Sequence, residues 1–132
     1  MAEETETKTN HVALTYSDKE KADVFFNKIL GLKLKKTFTL PPDLTYHIFG
    51  IKQKVTAFSY ENKHTRFEIF ITSRKPEYTY EHTCIVIENR NDFIKKCKKH
   101  GLNPFFIEKD NRKYLFLRDF NGNLFEIKER EQ

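Results

Sequence analysis

The chain has only two cysteines, no tryptophan and one methionine among 132 residues. Cys84 and Cys97 are too few for a disulfide scaffold, and neither belongs to the C-x-x-C pairs that bind zinc, so burial and packing are their expected roles. No apolar run approaches the ~20 residues of a membrane span, so no membrane partner is expected. The opening Met1–Glu6 is acidic and polar, without the basic and apolar regions of a signal peptide. Two thiols and no leader point to a cytoplasmic protein. One sign of charge is in mild deficit: 19 acidic residues face 24 basic ones, for a net charge of +5. The surplus sits in Lys33/Lys35/Lys36 and Lys95/Lys96/Lys98/Lys99, each interleaved with apolar residues, which reads as solvated faces and gives no reason to expect nucleic acid. Thirteen Phe and six Tyr exclude a disordered chain.

Residues 1–9 lack periodicity and are expected to form a flexible tail. His11–Tyr16 alternates like a strand. Ser17-Asp18 offers capping chemistry for an amphipathic α-helix over Asp18–Leu30, and Gly31 stops it. Strands are expected over Lys33–Leu40, Lys54–Tyr60 and Arg66–Thr72, with Leu44–Ile51 compatible with either a helical turn or a strand. The pattern then restarts. Glu81–Glu88 reads as a strand, and a helix carries Phe93, Ile94 and Cys97 up to Gly101. Three more strands follow at Pro104–Glu108, Lys113–Leu117 and Leu124–Lys128, with turns at Asp110-Asn111 and Asn121-Gly122. The fold class is therefore α+β: two tandem βαβββ modules, residues 10–73 and 80–129, within one domain over 10–129.

The repeat has chemical content. His11 lies 20 residues before Gly31, and His82 lies 19 before Gly101. The last strand of each copy carries one glutamate, Glu68 or Glu126. Alternation puts Glu68 with Phe70 and Glu126 with Leu124, opposite the larger apolar residues of each strand. The apolar faces would meet the helices, leaving His11, Glu68, His82 and Glu126 around a concave pocket. Two imidazoles and two carboxylates suit a first-row divalent metal and leave two octahedral positions for substrate oxygens. His47, His64 and His100 are not expected ligands. Phe70 and Phe49 are candidate pocket residues. Arg66, Arg74 and Lys35 are candidate partners for a substrate anion, with a solvated surface role as the default. Asp119, Asn121 and Gly122 are expected to shape the turn that positions Glu126.

Several stretches resemble the vicinal oxygen chelate superfamily, the glyoxalase/bleomycin-resistance/extradiol-dioxygenase group. His11-Val12-Ala13-Leu14, running through Asp18, Phe25-Phe26 and Leu30-Gly31, is similar to the family's opening strand and helix. His82-Thr83-Cys84-Ile85 opens the second module in the same way. Phe116–Glu126 resembles the F-x-D-P-D-G-N-x-x-E signature, with Phe120 in place of the usual Pro and Asn121 in place of Asp.

The resemblance implies an incompletely closed eight-stranded barrel with His11, Glu68, His82 and Glu126 as metal ligands. Their order is most similar to bacterial-type glyoxalase I. That implies a lyase/isomerase acting on a hemithioacetal-type, oxygen-chelating small molecule through an enediolate. Glu126 is the first choice of catalytic base, and Glu68 is able to share the role. The implied cofactor is one divalent transition metal per site, Ni, Co or Zn before Fe or Mn. The implied assembly is a homodimer, with the site within one chain or shared between two. An extradiol dioxygenase, an epimerase and a non-catalytic binding or resistance protein on the same fold are the alternatives.

Overall fold

The computed structural model describes residues 5–131. Residues 1–4 of the expected tail lie outside the described residues, and residues 5–11 are exposed and form neither strand nor helix. The first half of the chain runs β1 (Val12–Tyr16), α1 (Lys19–Ala22), β2 (Lys33–Leu40), α2 (Pro42–Phe49), β3 (Val55–Glu61) and β4 (Arg66–Ile71). The second half runs β5 (Thr83–Ile87), α3 (Arg90–Lys99), β6 (Phe105–Lys109), β7 (Arg112–Arg118) and β8 (Leu124–Glu129).

The strands form two four-stranded sheets, ordered β1-β4-β3-β2 and β5-β8-β7-β6. They are not hydrogen-bonded into one closed barrel, in keeping with the incomplete closure expected. In each sheet the first strand of the module pairs parallel with its last, β1 with β4 and β5 with β8. Val12 faces Phe67 as Thr83 faces Phe125, and Ala13 faces Glu68 as Cys84 faces Glu126. The two parallel strand pairs therefore repeat residue for residue.

One element departs from the expected α-helix over Asp18–Leu30. Asp18 caps α1 by accepting from the Glu20 amide at 2.9 Å, but after one turn the helix widens into a π-helix over Asp23–Ile29. The Leu30 amide reaches back to the Phe25 carbonyl. The wider turn lets the sequence neighbours Phe25 and Phe26 both enter the core, while Asp23 accepts a hydrogen bond from the buried Tyr60 hydroxyl. Burial, reinforced by Asp23, pushes the Tyr60 pKa up. Gly31 then takes a φ of 75°, a left-handed turn that a side chain would strain. The ambiguous Leu44–Ile51 stretch is helical as α2.

A single core joins the two modules. Phe25 meets Phe125 at 5.2 Å, Phe26 meets Phe67 at 5.2 Å, and Phe67 meets Phe125 at 6.0 Å between ring centroids. Each such ring contributes about 1.5–3 kcal/mol by burial. Ile69, Ile127, Phe93 and Cys97 complete the same cluster, and burial pushes the Cys97 thiol up to about 12. No helix among the described residues is long and apolar enough to cross a membrane.

The turn from β7 to β8 is held by a buried polar cluster. Asp119 Oδ1 accepts from the amides of Asn121 at 3.0 Å and Asn123 at 2.8 Å, and its Oδ2 accepts from the Asn123 amide group at 3.0 Å. Asn121 Nδ2 in turn donates to the Thr15 carbonyl of β1 at 2.7 Å. Burial raises the Asp119 pKa against the pull of these donors, and burial and the Asp119 charge raise that of Tyr16. Asp119→Ala leaves buried donors without an acceptor and is expected to cost about 2–4 kcal/mol of stability in chemical denaturation. A loss below about 0.5 kcal/mol would show that the cluster does not hold the turn.

Candidate metal centre

The parallel strand pairs bring two histidine–glutamate couples together. His11 directly precedes β1, and its Nε2 lies 3.4 Å from Glu68 Oε1 on β4. His82 directly precedes β5, and its Nε2 lies 3.5 Å from Glu126 Oε1 on β8. Even the exposures repeat: 38% and 18% for the first pair of side chains, 39% and 18% for the second. Phe67, Ile69, Phe125 and Ile127 alternate with the glutamates and are buried beneath them.

The other ring nitrogen of each histidine is also held. His82 Nδ1 lies 2.9 Å from the Tyr80 carbonyl. A carbonyl only accepts, so Nδ1 carries the proton, and in the neutral ring Nε2 presents its lone pair. His11 Nδ1 lies 2.9 Å from Asn10 Oδ1, an atom also approached by the Arg66 guanidinium at 3.4 Å. That donor makes the Asn10 atom an acceptor, so His11 is set in the same way. In both couples, then, the neutral imidazole would turn its Nε2 lone pair toward a carboxylate oxygen. Two donors bonded at ~2.1 Å to one ion stand roughly 3–3.5 Å apart, so the spacing fits a shared cation. Holding the far nitrogen is how proteins orient metal-ligating imidazoles.

The two couples do not merge into one cluster. Among the described residues no group of three or more His, Cys, Asp and Glu side chains is arranged to hold an ion. Lys128 Nζ lies 3.8 Å from Glu126 Oε2, and the exposed Cys84 faces Glu126 across the strand pair. Burial and the Glu126 charge raise the Cys84 thiol's pKa.

The other candidates separate. Phe70, two residues beyond Glu68, packs edge-on against Phe49 of α2 with centroids 5.6 Å apart, and both line a cavity of about 300 Å³. Arg66 instead pairs with Glu61 across β3 and β4 at 2.8 Å. The sequence reading did not find the two anchors, Asn10 and the Tyr80 carbonyl. Asn10 stands beside His11, a detectable signal, whereas a backbone carbonyl leaves none. It also missed Asn123, whose position in the matched signature was visible.

The profile of the Glyoxalase/Bleomycin resistance protein/Dioxygenase superfamily matches residues 8–127. The chain belongs to this superfamily. Solved structures of similar fold include a glyoxalase family protein from Bacillus cereus, 17% identical over 96% of each chain with a TM-score of 0.71. A glyoxalase family protein from Enterococcus faecalis is 18% identical over 94% of this chain and 98% of its own, with a TM-score of 0.71. A mutant of the fosfomycin resistance protein FosX from Listeria monocytogenes, complexed with Mn(II) and 1S,2S-dihydroxypropylphosphonic acid, is 16% identical over 96% and 95%, with a TM-score of 0.73. A search of curated proteins gives no significant match.

The protein is expected to hold both His11 and His82 as Nδ1–H tautomers when neutral. Long-range proton–nitrogen correlation spectra of metal-free protein at alkaline pH read this directly. Nε2–H tautomers would remove the lone pair from the side that faces the glutamates.

Proposed function

We propose that this protein is a metal-dependent enzyme of the glyoxalase-like lyase/isomerase type, acting on a small oxygen-chelating substrate of the hemithioacetal kind. Its centre is completed between two copies of the chain: His11 and Glu68 come from one, His82 and Glu126 from the other. The observation that carries the reading is the doubled contact between an imidazole Nε2 and a carboxylate oxygen, at 3.4 and 3.5 Å. Each contact is repulsive unless a cation or a proton lies between. Two ligands hold a divalent ion weakly, and a second copy brings the complementary couple. The exposed run Phe105-Phe106-Ile107 on edge strand β6, with Val86 at 65% exposure, gives such a copy apolar surface to cover. The Mn(II) in the FosX complex supports the metal requirement at the level of the superfamily.

When bound, a divalent transition metal (Ni, Co or Zn, with Mn or Fe as further candidates) supplies Lewis-acid polarisation of two substrate oxygens. The chain's own residues move the proton. Glu126 takes it from the substrate carbon and returns it to the neighbouring carbon, and Glu68, its counterpart in the repeat, shares the transfer. Asn10 and the Tyr80 carbonyl keep both imidazoles turned toward the centre. Cys84 and Cys97 are both free thiols, which suits the reducing cytoplasm in which we place the protein.

Subunit mixing tests the reading. His11→Ala and His82→Ala homodimers each lack one ligand in every centre. Exchange between them builds heterodimers in which one centre of the two is intact, so about a quarter of all centres recover. Metal content and turnover of a hemithioacetal are both expected to rise from near zero to about that fraction of wild type. No recovery of metal would contradict a shared centre. Metal recovered without turnover would contradict the isomerase chemistry.

A further inference from the structure

The duplication isolates what is peculiar to the first module. Both modules carry the strand pair, the histidine and the glutamate, but only the first inserts a helix between its second and third strands. The matching point in the second module is the tight turn at Asp110-Asn111, with φ of 54° and 63°. The inserted α2 is firmly attached. The Thr45 hydroxyl, buried beneath it, donates to the Gln53 carbonyl at 2.8 Å, and the Gln53 amide reaches back to the same oxygen at 3.3 Å. The insertion is therefore a preformed roof.

Under the roof lies the cavity of about 300 Å³, whose lining begins at Ala13 and Phe70, two residues beyond His11 and Glu68 on their strands. Ala13, one of its lining residues, stands directly opposite Glu68, and Thr15 stands opposite Phe70. These small residues leave the ligand face of β1 open. Phe70 is braced edge-on by Phe49 at 5.6 Å and by Phe38 at 6.2 Å. Further along the same direction the lining reaches Thr72 and then the exposed cations Arg74 and Lys75. A third exposed cation, Lys54, also lines the cavity, and none of the three pairs with a carboxylate among the described residues. From Glu68 to Thr72 is roughly 13 Å at ~3.3 Å per strand residue. At about 30 Å³ per water-sized group the cavity holds roughly ten non-hydrogen atoms.

Resting on the ligand assignment above, we infer that the substrate is an amphiphilic anion. An oxygen-chelating head lies at the His11–Glu68 end, an apolar or aromatic body of about ten atoms sits between Phe49 and Phe70, and a carboxylate or phosphate tail meets Arg74 and Lys75. Apolar walls with a few polar groups at one end are the usual form of a small-molecule site. The unpaired cations Lys54, Arg74 and Lys75 make the mouth selective by charge: they attract an anionic tail and repel a cationic one of the same shape.

The experiment uses full-length, chelator-treated protein and titrates phenylacetate, phenyl phosphate and phenethylamine, following backbone amide shifts. The anions are expected to shift Thr15, Phe49, Phe70 and Arg74, and at least one of them to bind about tenfold more tightly than the amine. Which anion binds more tightly distinguishes a carboxylate tail from a phosphate one. The Lys54→Gln/Arg74→Gln/Lys75→Gln triple variant is expected to abolish the preference for anions, and Phe49→Ala to weaken both anions at least threefold. The protein is free of metal throughout the titration, so the result stands apart from the fate of the metal reading. Equal binding of amine and anions, shifts confined to other residues, or an anion preference that survives in the triple variant would overturn the inference.

Discussion

In each module the first and last strands lie side by side and parallel, and this pairing sets where the chemistry can be. Parallel neighbours need a long crossover, which here is the rest of the module. With Ala13 opposite Glu68 and Cys84 opposite Glu126, the histidine two residues earlier falls on the glutamate's face. A slip of one residue would turn both glutamates into the core and bring Phe67 and Phe125 out to solvent. The hydrophobic core therefore enforces the register that makes the histidine–glutamate couples. Phe67 and Phe125 touch each other at the centre of that core, so the two couples are tied to one packed interior.

A second tie runs from module to module on the polar side. Asn121 and Asn123 both donate to the Thr15 carbonyl, and Ser17 donates from its amide and hydroxyl to Asn121 Oδ1. Asp119, buried and raised in pKa by that burial, orders the asparagines. The turn that leads into β8 and Glu126 is thus fastened to the strand that His11 precedes. The first module departs from the repeat at α2, and the aromatic cavity is at the same place. Symmetry accounts for the two histidine–glutamate couples, and its breaking accounts for the shape of the pocket beside the first of them.

Much of this was legible in the chain. Alternation alone placed the polar set of four strands on one face and the apolar set on the other, and the matched spacings of His11 and His82 from their glycines exposed the repeat. What escaped depends on contacts distant in sequence or on atoms every residue shares. The π-helix arises because Phe25, Phe26 and Asp23 each have a fixed partner on another element, which a window of sequence does not contain. Leu44–Ile51 carries apolar residues at spacings that suit a helix or a strand equally, and Thr45 decides through its bonds to Gln53. Arg66 looked like a free cation until the turn at Asn62 set it across from Glu61. The Tyr80 carbonyl that orients His82 has no sequence signature at all.

The central claim is that the histidine–glutamate couples hold a metal ion. Elemental analysis of untagged protein, wild type beside His82→Ala, tests it most directly. The account requires about one transition metal per chain in the wild type and its loss in the variant, because removing one imidazole of a four-ligand centre opens every site. Wild-type protein that carries no metal, and takes up none when Ni, Co, Zn, Mn or Fe(II) is added, would contradict the account and leave the chain a metal-independent binding protein on this fold.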